Sequence, residues 1–229
     1  KNSVAYGKKR LFFFGYDKYF SKWKTIETKN IIFHIQNPKS FENIEYFVET
    51  REKAFVEIQN TLGTKLPKKI DFFVWENADE PRKKFNINLG FADPSSVCVY
   101  SHRKQTIGHE MTHNISHYIG VNPIKTGLIN EGLAIYFNME NDNKLENLKK
   151  AIKDNKLENL KVLAFWNNFI NYPDNISYPF SGAFMEELVN RYGIEKLKPL
   201  FINQTYENAQ KLFGDDINLL INEFEAKIK

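Results

Sequence analysis

The chain has 229 residues, enough for one domain or two closely joined subdomains with a sizeable core. Hydrophobic residues make up 42% and aromatics 15%, with 20 Phe and 11 Tyr, which excludes a disordered polymer and predicts a core dominated by aromatic packing. The net charge of +4, with Lys and Glu interleaved, argues against a nucleic-acid partner, and the single cysteine, Cys98, excludes an internal disulfide framework.

No apolar run reaches the length of a membrane span; "LFFF" at 11–14 is the densest cluster near the start. The first residue is Lys1 rather than Met, so a leader or upstream segment is expected to have been removed, as in a secreted, periplasmic or lipid-anchored protein.

Residues 1–24 are basic and aromatic without a clear period, and are expected to be an extension that packs its Phe and Tyr onto the body. "NIIFHIQ" at 30–36 reads as a strand. A helix follows, with Ser40 as expected N-cap and Gly63 as its stop. Beyond Pro67 come a strand "KIDFFVW" at 69–75, a short helix "DEPRKKFN" at 79–86 and a strand "SSVCVY" at 95–100. Residues 104–118 read as a helix, then a loop with Gly120 and Pro123, then a helix "LINEGLAIYFNME" after Gly127. Everything further reads as helical, including "NKLENLKKAIKDNKLENLKVL", where "KLENL" occurs twice without amounting to a repeat architecture. Strands first and helices later predict an α+β fold. The expected organisation is an extension over 1–24, a sheet-bearing subdomain over 25–120 and a helical subdomain over 121–229.

The segment "GHEMTHNISHYIG" at 108–120 holds three of the five histidines, and His109-Glu110-Met111-Thr112-His113 matches H-E-x-x-H. On a helix, residues i and i+4 lie about 40° apart around the axis and about 6 Å apart along it, so two imidazoles can converge on one ion. The glutamate at i+1 points about 100° away, which suits a general base. A catalytic zinc site needs a third protein ligand and an open position. His117 extends the same face but stands about 12 Å from His109 along the axis, with His113 between them. A chain reversal is required, and Gly120 and Pro123 allow one. Glu131, on the next helix, is therefore the expected third ligand. His117 is expected beside the ligands, at a cleft edge or in the core.

"HEMTH" followed by "GLINEGLAIYF" resembles the gluzincin zinc metallopeptidases, in particular the peptidase-MA-like group. The order of strands and helices, "SGAFMEELVNRYGIEKL" and the late "AQKLFGDD" are also similar to that family, so the resemblance covers roughly residues 25–229. The chain departs from the metzincins, since Ser116 and Ile119 stand where those have glycine and histidine. It departs from the thermolysin pattern at Ile135, where that pattern has an aspartate. The resemblance implies a zincin-like, thermolysin-type fold of two subdomains and a peptide or protein substrate. It also implies zinc held by His109, His113 and Glu131, with Glu110 moving the proton from the attacking water to the leaving amine. In similar proteins a Tyr or His from the helical part assists the oxyanion. Tyr178 is the candidate, with Tyr136 and His102 as rivals, and an aromatic core contact is the competing role for Tyr178. Substrate is expected to add as a strand near "ADPSSVCVY" at 92–100. Cys98 is expected as a buried small hydrophobe and His34 as a strand histidine.

His₂Glu ligation favours zinc over cobalt or manganese. The absence of an exopeptidase motif leans toward internal cleavage, and a monomer is expected. Two other readings remain open on the sequence: a silent scaffold with the same fold, and a zinc hydrolase of a non-peptide amide or ester.

Overall fold

The structure is a computed structural model that describes residues 20–85, 90–140 and 142–229. Cα packing divides the chain into two units, one made of residues up to Val56 with Leu66–Asn114, the other of Glu57–Lys65 with Ile115–Lys229.

The first unit is built on a five-stranded sheet. Its elements in chain order are β1 (Lys24–Glu27), β2 (Ile31–Ile35), helix α1 (Ile44–Leu62, which runs on into the second unit), β3 (Ile70–Trp75), α2 (Asp79–Phe85), β4 (Phe91–Asp93), β5 (Cys98–His102) and α3 (His109–His117, which also runs on). The strand order is β1-β2-β3-β5-β4. The central strands β2, β3 and β5 are parallel, while β1 and β4 are antiparallel to their neighbours. Alternation along β3 sends Ile70, Phe72 and Val74 to one face, in register with Ile31, Phe33 and Ile35 of β2. All six are essentially fully buried, and the Phe33 ring meets Phe47 of α1 edge-on at 6.1 Å. Glu52 of α1 accepts hydrogen bonds from Thr28 Oγ1 (2.7 Å) and Asn30 Nδ2 (2.6 Å), which ties the β1–β2 turn to the helix.

The opposite face carries an aromatic slab. His34, Phe73, Tyr100 and Phe91 occupy one register row across β2, β3, β5 and β4. Their rings stack in succession at centroid distances of 4.6, 4.9 and 4.4 Å. Phe20 and Trp23 cover this slab together with Trp75, so the aromatic extension expected over 1–24 packs onto the body in the part that is described; residues 1–19 lie outside it. His34 is a buried strand histidine, as its sequence context suggested, and its Nε2 lies 3.0 Å from Asp71 Oδ1.

Asp71 also accepts from Lys68 Nζ at 2.6 Å. Burial raises its pKa, but the hydrogen bonds and charges of His34 and Lys68 outweigh that and leave it below the ordinary carboxylate value. A carboxylate whose folded pKa is depressed contributes stability that is fully present above its unfolded pKa of about 3.9 and lost as pH falls through the folded value. Asp71→Asn is therefore expected to lower stability by about 1 kcal/mol at neutral pH, with the deficit shrinking below about pH 4. Urea midpoints measured for both proteins across this range check it; a deficit independent of pH contradicts it.

The second unit is helical. After the end of α3 come α4 (Gly127–Tyr136), α5 (Lys144–Asp154), α6 (Val162–Asn168), α7 (Asp174–Tyr192), α8 (Ile194–Ile202), α9 (Tyr206–Phe213) and α10 (Asp216–Lys227). Helices α4 and α7 pack closely against each other. A Cβ on Gly132 would lie 2.6 Å from the Ser181 carbonyl oxygen, and one on Gly182 would lie 2.5 Å from Ile135 Cγ2. Glycine at both positions is what lets the two backbones approach. Beside this contact Phe165 stacks on Phe180 at 3.9 Å, and Phe180 and Phe184 both pack edge-on or obliquely against Phe224. Glu225 of α10 is buried and accepts from Val162 N (2.9 Å) and Lys161 Nζ (2.6 Å), so a carboxylate from a distant helix caps the start of α6.

Several boundaries differ from the sequence reading, each for a local reason. The N-cap of α1 is Asn43, whose side chain accepts from Tyr46 N at 2.8 Å; Ser40 instead ends a 3-10 turn at Pro38–Ser40. The helix ends at Leu62 before Gly63 at φ +65°, as expected. The strand expected at 95–100 is shifted. Residues 94–97 form a turn, with Val97 at φ +54°, that joins β4 to β5 in a hairpin. The run expected at the sheet edge thus has β5 inside the sheet, and the short β4 takes the edge. The two "KLENL" copies adopt different conformations. Lys144–Leu148 opens α5 behind Asn143, which caps Glu146 N at 3.1 Å. Residues 156–160 are irregular, with Lys156 and Asn159 at positive φ.

Candidate metal centre

Helix α3 begins at His109, five residues later than its sequence suggested. Thr112 N and Thr112 Oγ1 both reach the Gly108 carbonyl at 2.9 Å, which anchors the first turn. Met111, Thr112, Asn114 and Ile115 are fully buried, and Asn114 Nδ2 donates to the Cys98 carbonyl at 2.8 Å, pinning the helix to β5. The opposite side of the helix therefore carries His109 and His113, both half-buried. Their Nε2 atoms are 3.3 Å apart, with the rings at 83°. Two nitrogens each about 2.0–2.1 Å from a tetrahedral ion are separated by about 3.3 Å. The pair is thus set at the spacing that tetrahedral ligation requires.

Glu110 is buried, 7% exposed, and its Oε1 accepts from Gln105 Nε2 at 3.0 Å. Gln105 stands in the lead-in to α3 and was not singled out by its sequence. A lone glutamine five positions before a glutamate carries no motif, and only the irregular path of residues 103–108 brings the two together. Arg51 of α1 holds this lead-in, donating from Nη2 to the Gln105 carbonyl at 3.0 Å. Its guanidinium lies over the Phe47 ring at 3.5 Å, and burial pulls its pKa down to about 9.

Glu131 is half-buried on α4, next to Gly132. The start of this helix is fixed by Gln204, another residue that no sequence pattern marked. Gln204 Oε1 accepts from Thr126 N (2.9 Å), its carbonyl accepts from Thr126 Oγ1 (3.2 Å) and Trp166 Nε1 (2.7 Å), and its own N–H donates to the Ile124 carbonyl (2.9 Å). Lys125 Nζ donates to the Ser116 carbonyl (3.1 Å) and hydroxyl (3.3 Å), a cation set at the C-terminal end of α3 where the helix dipole favours one. Burial lowers its pKa to about 8. One ligand atom each from His109, His113 and Glu131 lies within 4.8 Å of the others, and this is the one such group of His, Cys, Asp and Glu found among the described residues. Two imidazoles and a carboxylate are a donor set that suits a borderline divalent ion and leaves a coordination position open.

His117 is exposed in the last turn of α3, with its ring edge-on to Tyr118 at 5.2 Å, and is not in that group. It is a surface histidine rather than a core one. Tyr178 is half-buried on α7, one turn before the contact at Ser181, and stacks over Phe169 at 6.4 Å. Tyr136 closes α4 with its ring edge-on to Phe137. His102 pairs in register with Trp75 and so shares the face of the aromatic slab, opposite to Ser101, whose hydroxyl reaches Gln105 at 3.2 Å. Cys98 is fully buried in β5, and burial raises its thiol pKa to about 12, as fits a small core hydrophobe. No helix of the described residues is long and apolar enough to cross a membrane. Compared with known protein families and with curated proteins, the chain matches none of them.

Proposed function

We propose that this protein is a zinc-dependent peptidase of the gluzincin type, with His109, His113 and Glu131 as ligands and Glu110 as general base. The observation that carries this reading is the 3.3 Å separation of His109 Nε2 and His113 Nε2 on one turn of a helix whose intervening glutamate is buried and held. A zincin-like arrangement is supported by the sheet, whose edge strand β4 is antiparallel to β5, directly before the motif helix. An ion bound by these residues supplies Lewis acidity, lowering the pKa of water and polarising a carbonyl. Glu110 takes the proton of the attacking water and delivers it to the departing amine. Tyr178 offers its hydroxyl to the developing oxyanion. Among the described residues no strand pairs with the outer side of β4, whose backbone groups suit a substrate bound by its main chain.

The test is a library of quenched peptides presented to zinc-loaded protein and to Glu110→Gln. The unaltered chain is expected to cleave, and the variant to keep its zinc while losing on the order of 10²–10⁴-fold in rate. Zinc-loaded protein that cleaves no peptide but hydrolyses simple esters or amides assigns the chemistry to another substrate class. Inertness toward both leaves a binding protein.

A further inference from the structure

We propose that Gln105 is the residue that positions the Glu110 carboxylate, an inference that rests on the peptidase reading for its catalytic meaning but not for its geometry. Glu110 is buried and accepts from Gln105 Nε2 at 3.0 Å. An ionised carboxylate offers only acceptors, so the NH₂ end of the amide faces it and the carbonyl end faces Ser101 Oγ at 3.2 Å. The amide is thereby held at both ends.

The backbone beneath it is held as well. Arg51 Nη2 donates to the Gln105 carbonyl at 3.0 Å, and Gln105 N donates to the His102 carbonyl at 3.0 Å. On the remaining side the amide has room because residue 90 is glycine: a Cβ there would lie 2.3 Å from Nε2 and Oε1 of Gln105. Gln105 thus meets a donor, an acceptor, a backbone clamp and a cleared space, all within the first unit.

The consequence is directional. Oε1 of Glu110 is engaged by the amide, which restricts how the carboxylate can turn and so sets the direction in which it can take a proton. A general base acts only within hydrogen-bond reach of its proton, and a displacement of about 1 Å is worth on the order of 10²-fold in rate. Gln105 touches neither substrate nor ion in this scheme; it acts through Glu110.

Two variants displace the amide by independent routes. Gln105→Met keeps the length and removes both polar ends. Gly90→Ala leaves Gln105 and Glu110 in place in the sequence and pushes the amide aside with one methyl. Both are expected to retain zinc at the level of the unaltered protein and to lose on the order of 10–100-fold in kcat with KM unchanged. Neither is expected to lose further activity when combined with Glu110→Gln. A readout without metal or substrate is the side-chain NH₂ resonance of Gln105 in ¹⁵N-labelled protein, assigned by its disappearance in Gln105→Met. It is expected downfield of the glutamines whose amides meet no carboxylate, as Gln36 beside Glu80 also is, and to return to their range in Glu110→Ala. An unshifted resonance, unchanged kcat in both variants, or a loss of rate that follows a loss of zinc overturns the proposal. If zinc-loaded protein hydrolyses no peptide, the functional reading fails, and the resonance still decides whether Gln105 holds Glu110.

Discussion

Glu131→Ala is expected to leave the purified protein without metal, while His117→Ala leaves it loaded with about one ion per chain, the count of a single three-ligand site. His109 and His113 already stand at ligating distance from each other, but two imidazoles leave half of a tetrahedral shell to water. In the proposed site the Glu131 carboxylate would add both a ligand and a negative charge. Its loss is expected to weaken binding by more than the roughly 10–100-fold that follows loss of a residue supporting a ligand. Metal analysis after purification without added zinc, followed by competition with a chromogenic chelator, measures the difference. If His117→Ala is the variant that loses the ion, the third ligand is misassigned. If Glu131→Ala binds as tightly as the unaltered chain, the carboxylate is not a ligand.

Gly132→Ala is expected to destabilise the protein by about 2–3 kcal/mol, against the direction set by helix propensity. In an exposed helix interior the same change gains about 1 kcal/mol. Here the added methyl would sit 2.6 Å from the Ser181 carbonyl oxygen, a backbone atom in the middle of α7 that cannot rotate away. The two helices must part, and the contact next to Glu131 opens with them. Gly182→Ala provides the contrast. Its methyl meets Ile135 Cγ2, a branch methyl whose χ1 the helix restricts but which belongs to a side chain and not to the backbone, so the expected loss is smaller, about 1–2 kcal/mol. Urea unfolding of the two variants tests the ranking, and equal losses would mean that helix separation is not what limits this contact.

The readable parts of the fold were those whose signal is local. The apolar run in "KIDFFVW", the glycine at 63, and the four-residue step between His109 and His113 each report on their own few residues, and each element formed where that signal lay. The parts that escaped are set by contacts distant in sequence. β1 and β4 are short edge strands that gain their pairing from β2 and β5, and nothing in four or three residues marks them. The second "KLENL" follows an asparagine just as the first does, yet Asn155 ends α5, with its Nδ2 donating to the Ala151 carbonyl at 2.8 Å, where Asn143 starts it. The same division holds at the candidate metal centre. His109, His113 and Glu131 are legible because ligation would demand particular residue types at particular spacings, and Glu110 because it falls between the two histidines in H-E-x-x-H. Gln105 and Gln204 hold the centre and its helix through amides, and an amide can serve from any position the backbone brings near.

The three tryptophans are shared unevenly between the two units, and this gives each unit an optical signature of its own. Trp23 and Trp75 lie edge-on at 5.7 Å in the aromatic slab, while Trp166 sits alone among the helices with its Nε1 on the Gln204 carbonyl. Coupled indoles in the slab and a single hydrogen-bonded indole in the helical unit differ in emission and in near-ultraviolet dichroism. A chain with phenylalanine at 166 reports the melting of the sheet alone, and one with phenylalanine at 23 and 75 reports the helices alone. Whether the protein loses its two histidines and its glutamate in one transition or in two can then be followed by light, without metal, substrate or label.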